Sequence, residues 1–193
     1  HGFRQRIQSH CVHYEVELEE GRLMYDVRPP ELGGERVDAA LRLVNSIKHA
    51  CSDGELQLCV LDTLEKCSVG ESDTNLGMKR FARDCQELVS GLGCTVLILH
   101  HCGHGNKQRM RGGSSLEGAV DTIIHCDGKG APSPVTFSCT KQKESPAFAS
   151  FGVRFDSVSL PDFDVKNPQG DVIYQGGSLV CEWIGEQQAS TAI

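Results

Sequence analysis

Three groups of residues in this chain are of types that could do chemistry. The first is Asp62, which closes the run Leu56-Gln57-Leu58-Cys59-Val60-Leu61-Asp62-Thr63. A short apolar run ahead of a turn-rich segment reads as a buried parallel strand. Open α/β sheets bind their ligands at the carboxyl ends of strands, where an Asp can hold Mg²⁺ through water. A strand-end turn or cap residue has the same pattern. The second group is His100-His101, closing the run Cys94-Thr95-Val96-Leu97-Ile98-Leu99. An imidazole can donate to a phosphate oxygen and shift when that oxygen leaves. Strand alternation points the two rings to opposite faces, which favours His101 for that role over His100. The plain alternative is one buried, hydrogen-bonded ring and one exposed ring. A metal site from His100, His101, Cys102 and His104 is a rival, but adjacent loop ligands do not close a tetrahedron without more distant partners. The third group is Lys141 and Lys143, which alternate with Gln142 and so would leave one face of a strand. An exposed lysine pair on an edge strand, discouraging aggregation, is the alternative.

Composition narrows the setting. At 193 residues, with 39% hydrophobic and 23% charged, the chain can build one domain with a proper core. The net charge of −7 argues against broad non-specific nucleic-acid binding but leaves room for a local basic segment. No run of 18 apolar residues could span a membrane, and the first residues lack the apolar stretch of a signal peptide. The first residue is His rather than Met, so a processed form or a fragment is expected. Ten cysteines without a CxxC pair are expected to be reduced, mostly buried thiols of a cytoplasmic protein.

These residues need elements to position them. A helix is expected over 2–14, where Phe3, Ile7, Cys11 and Tyr14 repeat at helical spacing, and a strand over 22–27. Pro29-Pro30 and Gly33-Gly34 break the chain. Val37, Leu41, Val44 and Ile47 then mark an amphipathic helix ahead of the Asp62 strand. Residues 64–75 read as an exposed, mobile loop. Met78, Phe81, Cys85 and Leu88 line the helix over 74–90, which Gly91 and Gly93 end. Residues 100–115 contain no acidic side chain but carry His104, Lys107, Arg109, Arg111 and four glycines, as expected of a loop disordered without a ligand. Strands follow over 120–126, 135–140 and 148–155, then a hairpin of 172–174 and 179–184 around Gly176-Gly177. The expectation is one domain over 1–185 and a frayed tail over 186–193, in the α/β class: a parallel sheet extended by C-terminal antiparallel strands.

Three segments in this order resemble the RepA-type hexameric replicative helicases, a branch of the RecA-like P-loop ATPases. Leu58-Cys59-Val60-Leu61-Asp62-Thr63 resembles the Walker B strand. Val96-Leu97-Ile98-Leu99-His100-His101, followed by Arg111-Gly112-Gly113-Ser114-Ser115-Leu116-Glu117-Gly118-Ala119-Val120-Asp121, resembles the sensor strand and its sequel. Thr140-Lys141-Gln142-Lys143 is the third, and the resemblance spans about residues 1 to 156. It implies a RecA-like, mostly parallel sheet flanked by helices, with ATP and Mg²⁺ as cofactors. Asp62, with Thr63, would serve Mg²⁺, and His100 or His101 would sense the γ-phosphate. Lys107, Arg109 and Arg111 would contact single-stranded DNA phosphates in a central channel, with hydroxyl contacts from Ser114 and Ser115. A solvated charge run, or a subunit-interface role for Arg111, remains open. Lys141 and Lys143 would reach a neighbouring subunit's γ-phosphate in a ring, a hexamer by the resemblance.

One departure bears on activity. The family's phosphate-binding GxxxxGK(S/T) loop does not occur in residues 1–193. The resemblance implies that this loop and a water-activating carboxylate lie upstream of residue 1. The chain is then expected to be the C-terminal part of a helicase core and not to hydrolyse ATP by itself. A non-catalytic RecA-like DNA-binding or assembly subunit is the alternative. A non-nucleotide α/β enzyme using Asp62, His101 and a serine is a third, which no GxSxG elbow supports.

Overall fold

A computed structural model of the protein describes residues 2–51, 56–69, 74–102, 114–129 and 133–186. In chain order the elements are α1 (Gly2–Tyr14), α2 (Ala39–Ala50), β1 (Leu58–Asp62), α3 (Leu64–Cys67), α4 (Asn75–Leu92), β2 (Thr95–Leu99) and α5 (Ser114–Ala119). Then come β3 (Thr122–Asp127), β4 (Val135–Gln142), β5 (Phe151–Ser159), β6 (Val165–Lys166), β7 (Val172–Tyr174) and β8 (Gly177–Gly185). The chain is α/β, with a parallel pair, an antiparallel sheet and flanking helices, as expected. It forms two compact units, one of residues Met24–Asp121 and the other of His1–Leu23 with Thr122–Ile193.

The first unit holds the parallel pair. β1 and β2 run in register from Leu58 opposite Thr95 to Asp62 opposite Leu99. Parallel neighbours need a crossover, and α4 supplies it. The Thr74 hydroxyl caps α4 by accepting the Gly77 N–H at 3.1 Å, and Gly93 stops it in the left-handed region at φ 67°. Met78, Phe81, Cys85 and Leu88 are buried, as their spacing predicts. Gly91 does not end the helix. It lies inside α4, where an added Cβ would meet Val44 Cγ2 at 2.8 Å, so its lack of a side chain lets α2 approach.

Expectation and structure part at several places. Cys59, Leu61, Val96 and Ile98 face the core, but Leu58, Val60, Leu97 and Leu99 are each more than 40% exposed, so this parallel pair is covered on one face only among the described residues. Residues 64–69 are not an exposed loop. They form α3 and a bridge in which Leu32 N–H donates to Cys67 O and Val69 N–H to Leu32 O, both at 2.8 Å, with Leu32, Leu64 and Cys67 buried. No strand forms over 22–27. Its loose alternation finds no partner, and the Asp26 carboxylate instead accepts the Arg28 backbone N–H at 2.9 Å, a local turn that competes with pairing. No disulfide joins any of the ten cysteines, but only Cys67, Cys85 and Cys94 are buried; Cys102, Cys126 and Cys181 are exposed.

The second unit is an antiparallel sheet in the order β3-β4-β5-β8. The expected hairpin over 172–184 is not formed. β7 pairs with β6 in a separate ribbon, and β8 pairs with β5 from Gly152–Gly185 to Ser159–Gly177. Gly176 is pressed against the 160–163 turn: its N–H donates to Asp164 Oδ1 at 2.7 Å, and an added Cβ would collide with Leu160 O. Helix α1 packs on β8 and β5, but with Gln5 and Ser9 buried rather than Phe3 and Tyr14, each about 40% exposed. The Tyr14 hydroxyl donates to the Cys181 carbonyl instead of burying its ring. Phe151 stacks on Phe137 and Trp183, with ring centroids 5.1 and 4.4 Å apart.

One buried charge ties the first unit together. Asp84, fully buried on α4, accepts the Gly33 N–H at 2.7 Å on one oxygen and the Arg83 guanidinium at 2.6 and 2.9 Å on the other. Gly33 sits at φ 75°, and an added Cβ would be 3.2 Å from Phe81 Cβ. Removing one partner of a buried charge leaves the others uncompensated. Asp84→Ala is expected to cost about 3 kcal/mol of unfolding free energy, measured by urea denaturation; a loss below about 1 kcal/mol would mean that water replaces the carboxylate.

Candidate functional site

The carboxyl ends of β1 and β2 bring Asp62 and the His pair together. Asp62 stands opposite Leu99, with His100 and His101 directly following. Its side chain is exposed and shares the face of Leu58 and Val60. On β2 the same face belongs to Leu97 and Leu99, so alternation carried one step past the strand assigns His101 to the Asp62 face and His100 to the core side. Burial agrees with that division: the His100 side chain is 7% exposed, whereas His101 is exposed. The alternative of one buried and one exposed imidazole therefore describes this pair.

The residue that holds His100 was not singled out from the sequence. Glu65, in the first turn of α3, places Oε1 3.3 Å from His100 Nδ1. Both Glu65 oxygens and His100 Nδ1 are sealed from solvent. Burial by itself would push the Glu65 carboxyl up. The backbone N–H, the Thr63 hydroxyl and the imidazoles of His100 and His101 together outweigh it and hold the carboxyl below its ordinary value of 4.5. Thr63 also starts α3, its carbonyl accepting the N–H groups of Lys66 at 3.0 Å and Cys67 at 2.9 Å. The Asp62–Thr63 peptide bond is cis. A Glu three residues after Asp62 carried no signal in the sequence, because 64–75 read as a loop and only α3 turns this carboxylate toward β2.

The remaining candidates are more dispersed. Lys107, Arg109, Arg111 and His104 lie outside the described residues, as does most of the expected basic loop. Ser114 opens α5, an unexpected helix whose buried Leu116 joins the core of the first unit. The Ser115 hydroxyl donates to Asn75 Oδ1 at 3.4 Å, at the start of α4. Lys141, on β4 in the second unit, pairs with Ile123 on β3. Because β3 lies outside β4, Lys141 is not on an edge strand. Strand β4 ends at Gln142, so the alternation meant to align Lys143 with Lys141 stops one residue short. Among the described residues, His100, His101 and Cys102 form no metal-binding cluster. A group of that kind, His13, Asp156 and Glu182, lies in the second unit, where Arg154 pairs with both carboxylates.

A carboxylate and an exposed imidazole thus stand at adjacent parallel strand ends, where open α/β sheets bind their ligands. The family model described as the AAA domain matches residues 1–107, more than half of the chain, and the chain belongs to that family of AAA-type P-loop ATPases. Such ATPases use ATP with Mg²⁺. The exposed Asp62 carboxylate offers a hard oxygen donor of the kind Mg²⁺ prefers, so this residue fits the metal. No curated protein matches the chain. Among the described residues, no helix is long and apolar enough to cross a membrane.

The lowered Glu65 carboxyl has a pH consequence. A group whose folded pKa is depressed adds stability that is present above its unfolded value and lost as pH falls through the folded one. The stability difference between wild type and Glu65→Gln is therefore expected to be constant above about pH 5.5 and to shrink as the pH falls below 4.5. Denaturation midpoints across that window check it, and a difference that grows on acidification would contradict the sign.

Proposed function

We propose that this chain forms part of the motor core of a RepA-type replicative DNA helicase, coupling ATP hydrolysis to movement along single-stranded DNA in a ring, as a hexamer, in the cytoplasm. The observation that carries the reading is the pairing of Asp62 with the His101 face at adjacent parallel strand ends, within a chain of the AAA-domain family. In this reading Asp62 and Thr63 hold Mg²⁺, which with ATP supplies the phosphoryl-transfer chemistry. His101 donates to the γ-phosphate and registers its loss. His100 serves from the core side. Lys107, Arg109 and Arg111 neutralise DNA phosphates, with Ser114 and Ser115 beside them. Lys141 and Lys143 reach the γ-phosphate of a neighbouring subunit.

A second reading is favoured by one sequence fact, the lack of GxxxxGK(S/T) in residues 1–193. Under it the chain is a non-catalytic RecA-like subunit that binds DNA or assembles with active partners. The test uses the gene product expressed from its natural start. DNA-stimulated ATP hydrolysis that falls roughly 100-fold in Asp62→Ala supports the motor. DNA binding or co-assembly with no turnover supports the second reading, and failure to bind nucleotide, DNA or partner overturns both.

The lysines have their own outcome. A cation reaching a neighbour's γ-phosphate acts mainly in the transition state, so its loss falls on turnover. Lys141→Ala or Lys143→Ala is expected to lower kcat by up to about 10³-fold while leaving nucleotide affinity within about threefold, lysine giving less than a bidentate arginine. Mixing each variant with Asp62→Ala subunits is expected to restore part of the activity. Near-wild-type turnover in both variants would make them surface charges.

A further inference from the structure

Glu65 faces His100 across the end of the parallel pair. The carboxylate oxygens and His100 Nδ1 are sealed from solvent, with Oε1 and Nδ1 3.3 Å apart. Burying a carboxylate is costly unless a donor meets it. The Thr63 hydroxyl and the Glu65 backbone N–H favour its charged form, as do the His100 and His101 imidazoles electrostatically. A ring N–H donates and a carboxylate oxygen accepts, so a hydrogen bond between these two atoms would run from Nδ1 to Oε1. The link also spans two elements. Glu65 lies in the four-residue helix that follows Asp62, and His100 is the first residue after β2. A contact there fixes the backbone between Leu99 and His101, and with it the side to which His101 is turned.

We propose that Glu65 is a positioning residue: by holding His100 through Nδ1 it locks the end of β2 against α3 and so presents His101 on the side of Asp62. This deepens the nucleotide reading above and rests on it. Glu65 touches neither nucleotide nor metal; it acts through His100. The geometry also divides the two histidines, with His100 as the anchor and His101 as the group free to respond. A bulk stabilising role would act on folding alone, whereas a positioning role acts on turnover at unchanged nucleotide affinity.

Two measurements test it. In this 193-residue chain, ¹H–¹⁵N correlation spectra of the imidazoles are expected to show a proton on His100 Nδ1 in the wild type. Glu65→Gln, whose side-chain oxygen still accepts, is expected to keep it, and Glu65→Ala to lose its protected signal. In the gene product expressed from its natural start, Glu65→Ala is expected to lower kcat about 10-fold or more, as loss of an imidazole's orienting partner does elsewhere, with KM for MgATP within about threefold. Glu65→Gln is expected to recover most of that loss, and Glu65→Ala with His100→Ala to be no worse than the poorer single variant. An unprotonated His100 Nδ1 in the wild type, unchanged turnover in Glu65→Ala, or losses that multiply in the double variant would each overturn the proposal. A wild type without turnover would overturn the nucleotide reading and the positioning role with it, while the spectra would still report whether the pair exists.

Discussion

The parallel ladder between β1 and β2 is the constraint on which the site depends. Its rungs run from Leu58–Thr95 to Asp62–Leu99, and a shift of one residue would send Asp62 to the other face. Register is set from the core side. Cys59, Leu61, Val96 and Ile98 pack toward α2 and α4, so the odd residues of β1 and the even residues of β2 are committed inward. Asp62 and His101 take the remaining side because their neighbours in sequence have taken the core. Apolar burial thus places the chemistry without a polar contact to Asp62 being needed.

That ladder in turn requires α4 to return the chain at a fixed angle, and a buried charge holds the helix. Asp84 reaches from α4 to the Gly33 N–H and binds Arg83 alongside. Phe81 packs so near Gly33 that a side chain there would collide. On the next layer out, Leu32 joins the same assembly by bridging to Ser68 just after α3. The turn after Asp62 is therefore fastened to the core by backbone hydrogen bonds and by Leu64 and Cys67. Fastening matters for Glu65, because a carboxylate on a loose loop could not hold an imidazole.

Periodic elements were legible in the sequence, and contact-dependent ones were not. Helix α4 could be read from Met78, Phe81, Cys85 and Leu88 because one helix face meets one core. Strands β1 and β2 could be read from apolar runs ending in polar groups. Helix α3 could not, since four residues carry no period and its stability comes from Leu32, 32 positions upstream of Leu64. The pairing of β8 with β5 rather than β7 was hidden for the same reason: a glycine pair reads as a hairpin turn, and only the Gly176 contacts with the 160–164 segment show another use. At the site, alternation was enough to separate His101 from His100. Glu65 was invisible because its significance lies wholly in a contact between elements 35 residues apart.

In the proposed function Asp62 and His101 face one bound nucleotide. A structure of the gene product with Mg²⁺ and a non-hydrolysable ATP analogue tests it most directly. Asp62 is expected to be joined to Mg²⁺ through water, with His101 turned to the γ-phosphate and His100 still held by Glu65 on the core side. A nucleotide bound away from the carboxyl ends of β1 and β2, or His100 in place of His101 at the phosphate, would contradict it.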